Sequence, residues 1–215
     1  MSELKIQILV DNPNSWIIPY ARELVDKLKE LDFDARLLHR HSDVVQGDIL
    51  CLLSCERIFR QLNLNQFNLV VHESDLPKGK GWSPVTWQVL EGKKRIPVTL
   101  LEASEEVDAG PIYDKEYIDL EGYELLSEIK HQQGLLTQRL ILKFLSRYPN
   151  VVAVTQSGKE SFYEKRGPED SRLDPEKSLG EQFELLRVCD NERYPAFFTW
   201  RGKDFIIRIY RKDNE

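Results

Sequence analysis

Two hydrophobic rhythms alternate along the first two thirds of the chain. Residues 4–10 form a β-branched, apolar run that reads as a strand, and Asp11-Asn12-Pro13-Asn14-Ser15 after it is loop and helix-cap chemistry. In residues 16–31 the apolar positions Ile17, Tyr20, Ala21, Leu24, Leu28 and Leu31 recur at three- and four-residue steps, which predicts a helix with one buried face. Residues 35–38 read as a second strand. Residues 48–53 and 67–71 are continuously apolar, the pattern of parallel strands covered by helices on both faces, and residues 55–64 between them predict a short helix. Beyond Lys78-Gly79-Lys80-Gly81, Ser83 is placed to cap a helix running through Gln88 to Glu91, with Pro84 in its first turn and Gly92 ending it. Residues 98–101 predict another strand, 112–120 an extended segment, and 122–148 a long amphipathic helix closed by Pro149-Asn150.

Strands alternating with helices imply βαβ units, so ligands are expected outside the carboxyl ends of the strands, in the loops after Val10, Leu53 and Val71. The remainder has a different character. Residues 157–177 are polar, 178–188 helical, and 196–200 with 205–210 flank Arg201-Gly202-Lys203-Asp204 as a hairpin. The expected organisation is an α/β unit over residues 1–150 with a mostly parallel sheet, and a small carboxy-terminal helix and β-hairpin over 151–215.

Composition narrows the function. With 215 residues, 41% of them hydrophobic, the chain can bury one substantial core. Its apolar runs are strand-sized and residues 1–9 lack the layout of a signal peptide, so a cytoplasmic protein without a membrane partner is expected. A net charge of -6 argues against a general nucleic-acid binder. Cys51, Cys55 and Cys189 are odd in number and lack paired ligand spacing, so neither a disulfide framework nor a metal site is expected, and Cys51 reads as core.

The most informative stretch is Val70-Val71-His72-Glu73-Ser74-Asp75-Leu76-Pro77, continuing to Gly81 and Pro84, followed by Thr99 and by Asp108-Ala109-Gly110. It resembles the signature of the formyltransferase family, Asn-x-His-x-Ser-x-Leu-Pro with a later Asp-x-Gly, and the likeness runs from the first strand to Leu120. That resemblance implies a Rossmann-like formyltransferase fold with His72 and Asp108 as catalytic residues. A histidine ending a strand can take a proton from an attacking amine, and the aspartate would orient the ring and favour its charged form. One departure stands out. The family's asparagine, which helps hold the formyl oxygen, is replaced by Val70, a residue with no donor; Asn68 lies about 13 Å along the strand from His72, which leaves Gln88, Lys80 or a backbone amide as replacements.

The resemblance also implies N10-formyltetrahydrofolate as co-substrate, held by Ser54, Cys55, Glu56, Arg57 and Ile58 and by the second loop from Glu102 to Val107. Methionyl-tRNA formyltransferases carry a larger carboxy-terminal barrel, and glycinamide ribonucleotide enzymes a glycine-bearing first loop. Residues 163–174 and 187–197 resemble sugar N-formyltransferases instead. The implied acceptor is a nucleotide-linked amino sugar, a small molecule, with Trp16, Lys78, Lys80, Trp82, Arg166 and Tyr194 as its binding residues; a homodimer is the self-association considered. A formyltetrahydrofolate hydrolase and a non-catalytic folate or sugar-nucleotide binder are the rival readings.

Overall fold

The computed structural model describes residues 4–212; the part of the leader reading that concerns residues 1–3 lies outside them. Six strands form the central sheet: β1 (Lys5–Leu9), β2 (Asp34–Leu38), β3 (Gly47–Leu52), β4 (Asn65–His72), β6 (Arg95–Glu102) and β7 (Ile112–Asp119), in the order β2-β1-β3-β4-β6-β7. β1 pairs in parallel with β2 and β3, and β3 with β4. β6 runs antiparallel to both β4 and β7, with a bulge between Leu100 and Leu101. The chain therefore steps outward from β1 in one direction to β2 and in the other to β3, and this reversal opens a crevice at the carboxyl ends of β1 and β3.

One face of the sheet is covered by helices. α1 (Ile18–Glu30) turns Ala21, Leu24, Val25 and Leu28 inward, and α3 (Leu126–Arg147) contributes Ile129, Leu136, Leu140, Ile141 and Phe144 to the same core. The expectation of helices on both faces is not met. On the opposite face Leu9, Leu50 and Leu52 are covered by Val44 and Phe59, which come from irregular segments. Residues 55–64 hold only a short 3-10 turn, Leu62–Leu64, in place of the expected helix. Cys55, Ile58, Phe59 and Leu62 are spaced as a helical stripe, but the Asp11 carboxylate accepts the amides of Glu56 and Arg57 at 2.8 and 3.0 Å and fixes the segment as a loop. An aspartate read as cap chemistry for the first helix thus braces the loop after β3.

Other boundaries shift for local reasons. α2 (Pro84–Leu90) begins at Pro84, but Ser83 has φ +49° and makes no side-chain cap. The predicted helix over 178–188 contracts to α4 (Phe183–Val188), and β9 (Ala196–Trp200) pairs with β10 (Lys203–Ile207) through a tighter turn than expected. These elements bury a small cluster of Leu173, Leu186, Cys189 and Ala196. The segment after α3 returns to the sheet: Val154 bridges Ile112, and β8 (Phe162–Tyr163) pairs with the two-residue strand β5 (Lys80–Gly81). No helix of the described residues is long and apolar enough to cross a membrane.

Candidate active site

His72 is the last residue of β4 and sits opposite Thr99 of β6, whose hydroxyl donates to the Ser74 carbonyl at 2.7 Å. The imidazole side chain is 8% exposed. Its Nε2 lies 2.8 Å from the Gly79 carbonyl, to which it donates, so Nδ1 is the nitrogen free to take up a proton. Asp108 Oδ2 is 3.4 Å from that Nδ1. The gap is longer than a usual hydrogen bond, yet both side chains are almost fully out of solvent, where charges interact strongly.

Asp108 reaches this position through backbone geometry that its neighbours impose. It adopts φ +53°, its Oδ2 accepts the Gly81 amide at 3.0 Å, and Gln156 donates to the carbonyls of Asp108 and Gly110, each at 2.8 Å. A β-carbon on Gly110 would stand 1.8 Å from the Glu102 carbonyl oxygen, so only glycine permits this loop to close on β6. Gly81, at φ +96°, also packs on backbone: a β-carbon there would stand 2.6 Å from the Tyr163 carbonyl oxygen.

A cavity of about 720 Å³ opens over the pair, within the range of small-molecule sites. Its walls include residues 54–58, 70–73, 81–86 and 101–104, together with Leu126, Ile129, Lys130 and Gln133 of α3 and the segment around Val188 to Tyr194. The profile of the formyl transferase family matches residues 26–136, just over half of the chain, and spans both His72 and Asp108. The chain belongs to the formyl transferase family.

This family member is 32% identical over 120 residues to a methionyl-tRNA formyltransferase from Thermosipho melanesiensis, an alignment covering 56% of the chain and 39% of the relative. The chain spans less than half the length of the first curated relatives it matches. Among solved structures, it superposes with a TM-score of 0.77 on HypX from Aquifex aeolicus in complex with tetrahydrofolic acid, at 19% identity over 97% of the chain and 38% of that protein. A sugar N-formyltransferase from a Shewanella species matches with a TM-score of 0.70 at 17% identity, over 99% of each chain. These likenesses establish the α/β formyltransferase fold.

Most residues singled out from sequence converge on the cavity. Ser54, Cys55, Glu56, Arg57, Ile58, Glu102 and Val107 all line it, as do Trp16, Trp82, Arg166 and Tyr194. The Glu102 carboxylate, however, already accepts the Asn68 amide at 2.8 Å and the Tyr113 hydroxyl at 2.9 Å, so it anchors its loop; burial raises its pKa above the usual carboxylate range. Lys78 and Lys80 do not line the cavity. Lys78 is exposed, and Lys80 is buried with Nζ 2.8 Å from Glu160 and facing the Phe162 ring. A lysine between two glycines resembles a mobile loop in sequence, but the pairing of β5 with β8 turns it inward.

The candidates to replace the family's asparagine are likewise reduced. Gln88 is spent on the Glu73 and Pro84 carbonyls, at 2.6 and 3.1 Å; Asn68 donates to Leu62 and Glu102. Val70 itself faces the cavity. Among the groups considered, a backbone amide remains. Three residues of the site escaped the sequence reading: Glu73, Gln133 and Gln156. Glu73 stood inside the motif at a variable position, whereas Gln133 and Gln156 carry no local signal and are brought in only by tertiary packing.

Proposed function

We propose that the protein transfers a formyl group from N10-formyltetrahydrofolate to the amino group of a nucleotide-linked amino deoxysugar, acting in the cytoplasm. The observation that carries this reading is the His72–Asp108 pair, 3.4 Å apart and nearly buried, at the floor of one cavity whose walls include both folate-segment candidates. The apolar side chains of Leu52, Val70 and Leu101 line the cavity together with residues 54–58 and 103–104, a combination that suits a flat ring. In this reading residues 1–150 hold the donor and the chemistry, and residues 151–215 add the acceptor wall through Arg166, Arg193 and Tyr194.

The chemistry follows from the arrangement. The acceptor nitrogen attacks the formyl carbon, and the proton it sheds passes to Nδ1 of His72. Asp108 stabilises the imidazolium so formed, and the same proton is returned to the departing folate nitrogen, which balances the reaction as formamide and tetrahydrofolate. Arg166 lines the cavity and has a buried Nε with no partner among the described residues, a donor suited to a phosphate oxygen; Trp82 and Tyr194 line the same cavity, are half exposed and offer faces for a base or sugar. The overall charge of -6 weighs against a polyanionic RNA acceptor. The identity with a methionyl-tRNA formyltransferase favours the second reading, a charged tRNA, so it belongs in the test.

The experiment incubates the protein with N10-formyltetrahydrofolate and, in separate reactions, uridine- and thymidine-diphosphate-linked amino deoxysugars, methionyl-tRNA, or no amine. Mass spectrometry of the products is expected to show one added carbonyl on an amino sugar. Formylation of methionyl-tRNA alone would move the acceptor assignment, and release of formate without any amine would replace transfer by hydrolysis.

A further inference from the structure

Glu73, next in sequence to His72, is a cavity-lining carboxylate that the mechanism above leaves unused. Side chains alternate along β4: Val70 packs toward Leu9, Leu50 and Leu52 on the open face, and Val71 toward the helical core. His72 accordingly points with Val70, and Glu73 with Val71. The Glu73 backbone carbonyl is gripped by Gln88 at 2.6 Å, and the residue is partly buried in the cavity wall, which Gln133 of α3 also lines. The same cavity wall continues through Ile129, Lys130, Val188 and Tyr194.

The electrostatics of this wall are unusual. Lys130 is held by Asp190 at 3.2 Å, and Arg193 donates to the Asn14 carbonyl. Among the described residues no lysine or arginine pairs with Glu73; its charged neighbours are His72, with which it interacts favourably, and Asp108, which opposes it. A carboxylate kept in a ligand cavity without its own cation is an incomplete ion pair.

We infer that Glu73 receives the acceptor's amino group as an ammonium ion and takes its first proton, handing a neutral amine to the formyl carbon. This rests on the formyl-transfer reading above. Alkylamines are mostly protonated at neutral pH and have no lone pair with which to attack. In the step, one N–H bond of the ammonium breaks and an O–H bond forms on Glu73; after attack, the second proton goes to His72 and on to the folate nitrogen, and Glu73 gives its proton up to solvent when the product leaves. Burial raises the pKa of the Glu73 carboxyl above the usual range, which strengthens it as a base for this transfer. Two acid–base groups of different character thus serve two successive protons. The charged groups that share this stretch of cavity wall with Glu73 include His72 from β4, Asp108 from the loop before β7, Lys130 from α3, and Asp190 and Arg193 after α4.

The test compares Glu73→Gln and Glu73→Asp with the wild type, using whichever amino sugar is formylated in the panel and tetrahydrofolate binding as a control. For Glu73→Gln we expect kcat/KM toward the amine to fall by about thirtyfold or more at pH 7, with the deficit closing as pH rises and the acceptor deprotonates unaided. Glu73→Asp should retain an intermediate rate, and tetrahydrofolate affinity should stay within about twofold in both. Wild-type rates and pH profile in Glu73→Gln would overturn the inference while leaving formyl transfer intact. Parallel loss of folate binding would assign Glu73 a structural role and also overturn it. No formylated amine from the wild type would remove both readings together.

Discussion

Replacing Asp108 with asparagine isolates the charge of the His72–Asp108 pair with little change in shape. In the protein, Oδ2 lies 3.4 Å from His72 Nδ1 and also accepts the Gly81 amide at 3.0 Å. Asparagine can keep the second bond through its carbonyl oxygen, so the loop should hold its place. What is lost is the attraction between a carboxylate and the imidazolium that forms during attack. With an effective dielectric of about 20, two unit charges at this distance interact by about 5 kcal/mol. At about 1.4 kcal/mol for each tenfold, this bounds the effect between about 10³ and 10⁴, and the amide dipole recovers part of it. A fall in kcat of about 10² to 10³ is expected, with KM for the folate changed by less than about threefold. Tetrahydrofolate formation followed by absorbance at saturating acceptor gives kcat, and circular dichroism checks that the variant is folded. A folded Asp108→Asn variant with kcat within about threefold of the wild type would show that the pair does not carry the proton.

Three further outcomes follow from the same geometry. Gly110→Ala drives a methyl into the Glu102 carbonyl, 1.8 Å from the ideal β-carbon, and must break the 2.9 Å bond from the Glu102 amide to Pro111; thermal melts should show a loss of about 3 kcal/mol or more, accompanied by loss of activity, and a native-like Tm would refute the close approach. Val70→Asn restores a donor at the cavity floor and should raise kcat by about tenfold or more; an unchanged rate would mean that the backbone already satisfies the formyl oxygen. Glu73→Gln should also affect stability: because burial raises the carboxyl pKa in the folded state, the ionised form opposes folding at neutral pH. The variant should therefore melt higher than the wild type at pH 7 to 8, with the difference vanishing below about pH 4, where the glutamate is protonated in both states; a lower Tm at neutral pH would contradict this.

The strands and long helices were legible because each carries its own signal. Apart from Asp48 and Asn68, residues 48–53 and 67–71 are apolar, and α1 shows a clean helical stripe, so β3, β4 and α1 could be read from spacing alone. The segment over 55–64 could not, because what shapes it is Asp11 from another loop capping its amides. The antiparallel direction of β6 and β7 was similarly hidden, since an apolar run does not encode the direction of its partner. At the site, the motif named His72 and Asp108, yet their meeting depends on Gln156, Gly81 and Gly110 holding a loop from a distance. The same long-range pairing misled the reading of Lys80: β8, some eighty residues onward, buries it beside Phe162. Glu73 was visible in sequence but chemically mute until α3 was seen to face it.

The most direct trial of formyl transfer follows an isotopically labelled formyl carbon by nuclear magnetic resonance. Starting on the folate, in the presence of a nucleotide-linked amino sugar, the label should move into a formamide signal with wild-type protein and remain on the folate with His72→Asn. Label that emerges as free formate at the same rate with or without the amine, or that reaches the amide equally fast with His72→Asn, would contradict the account.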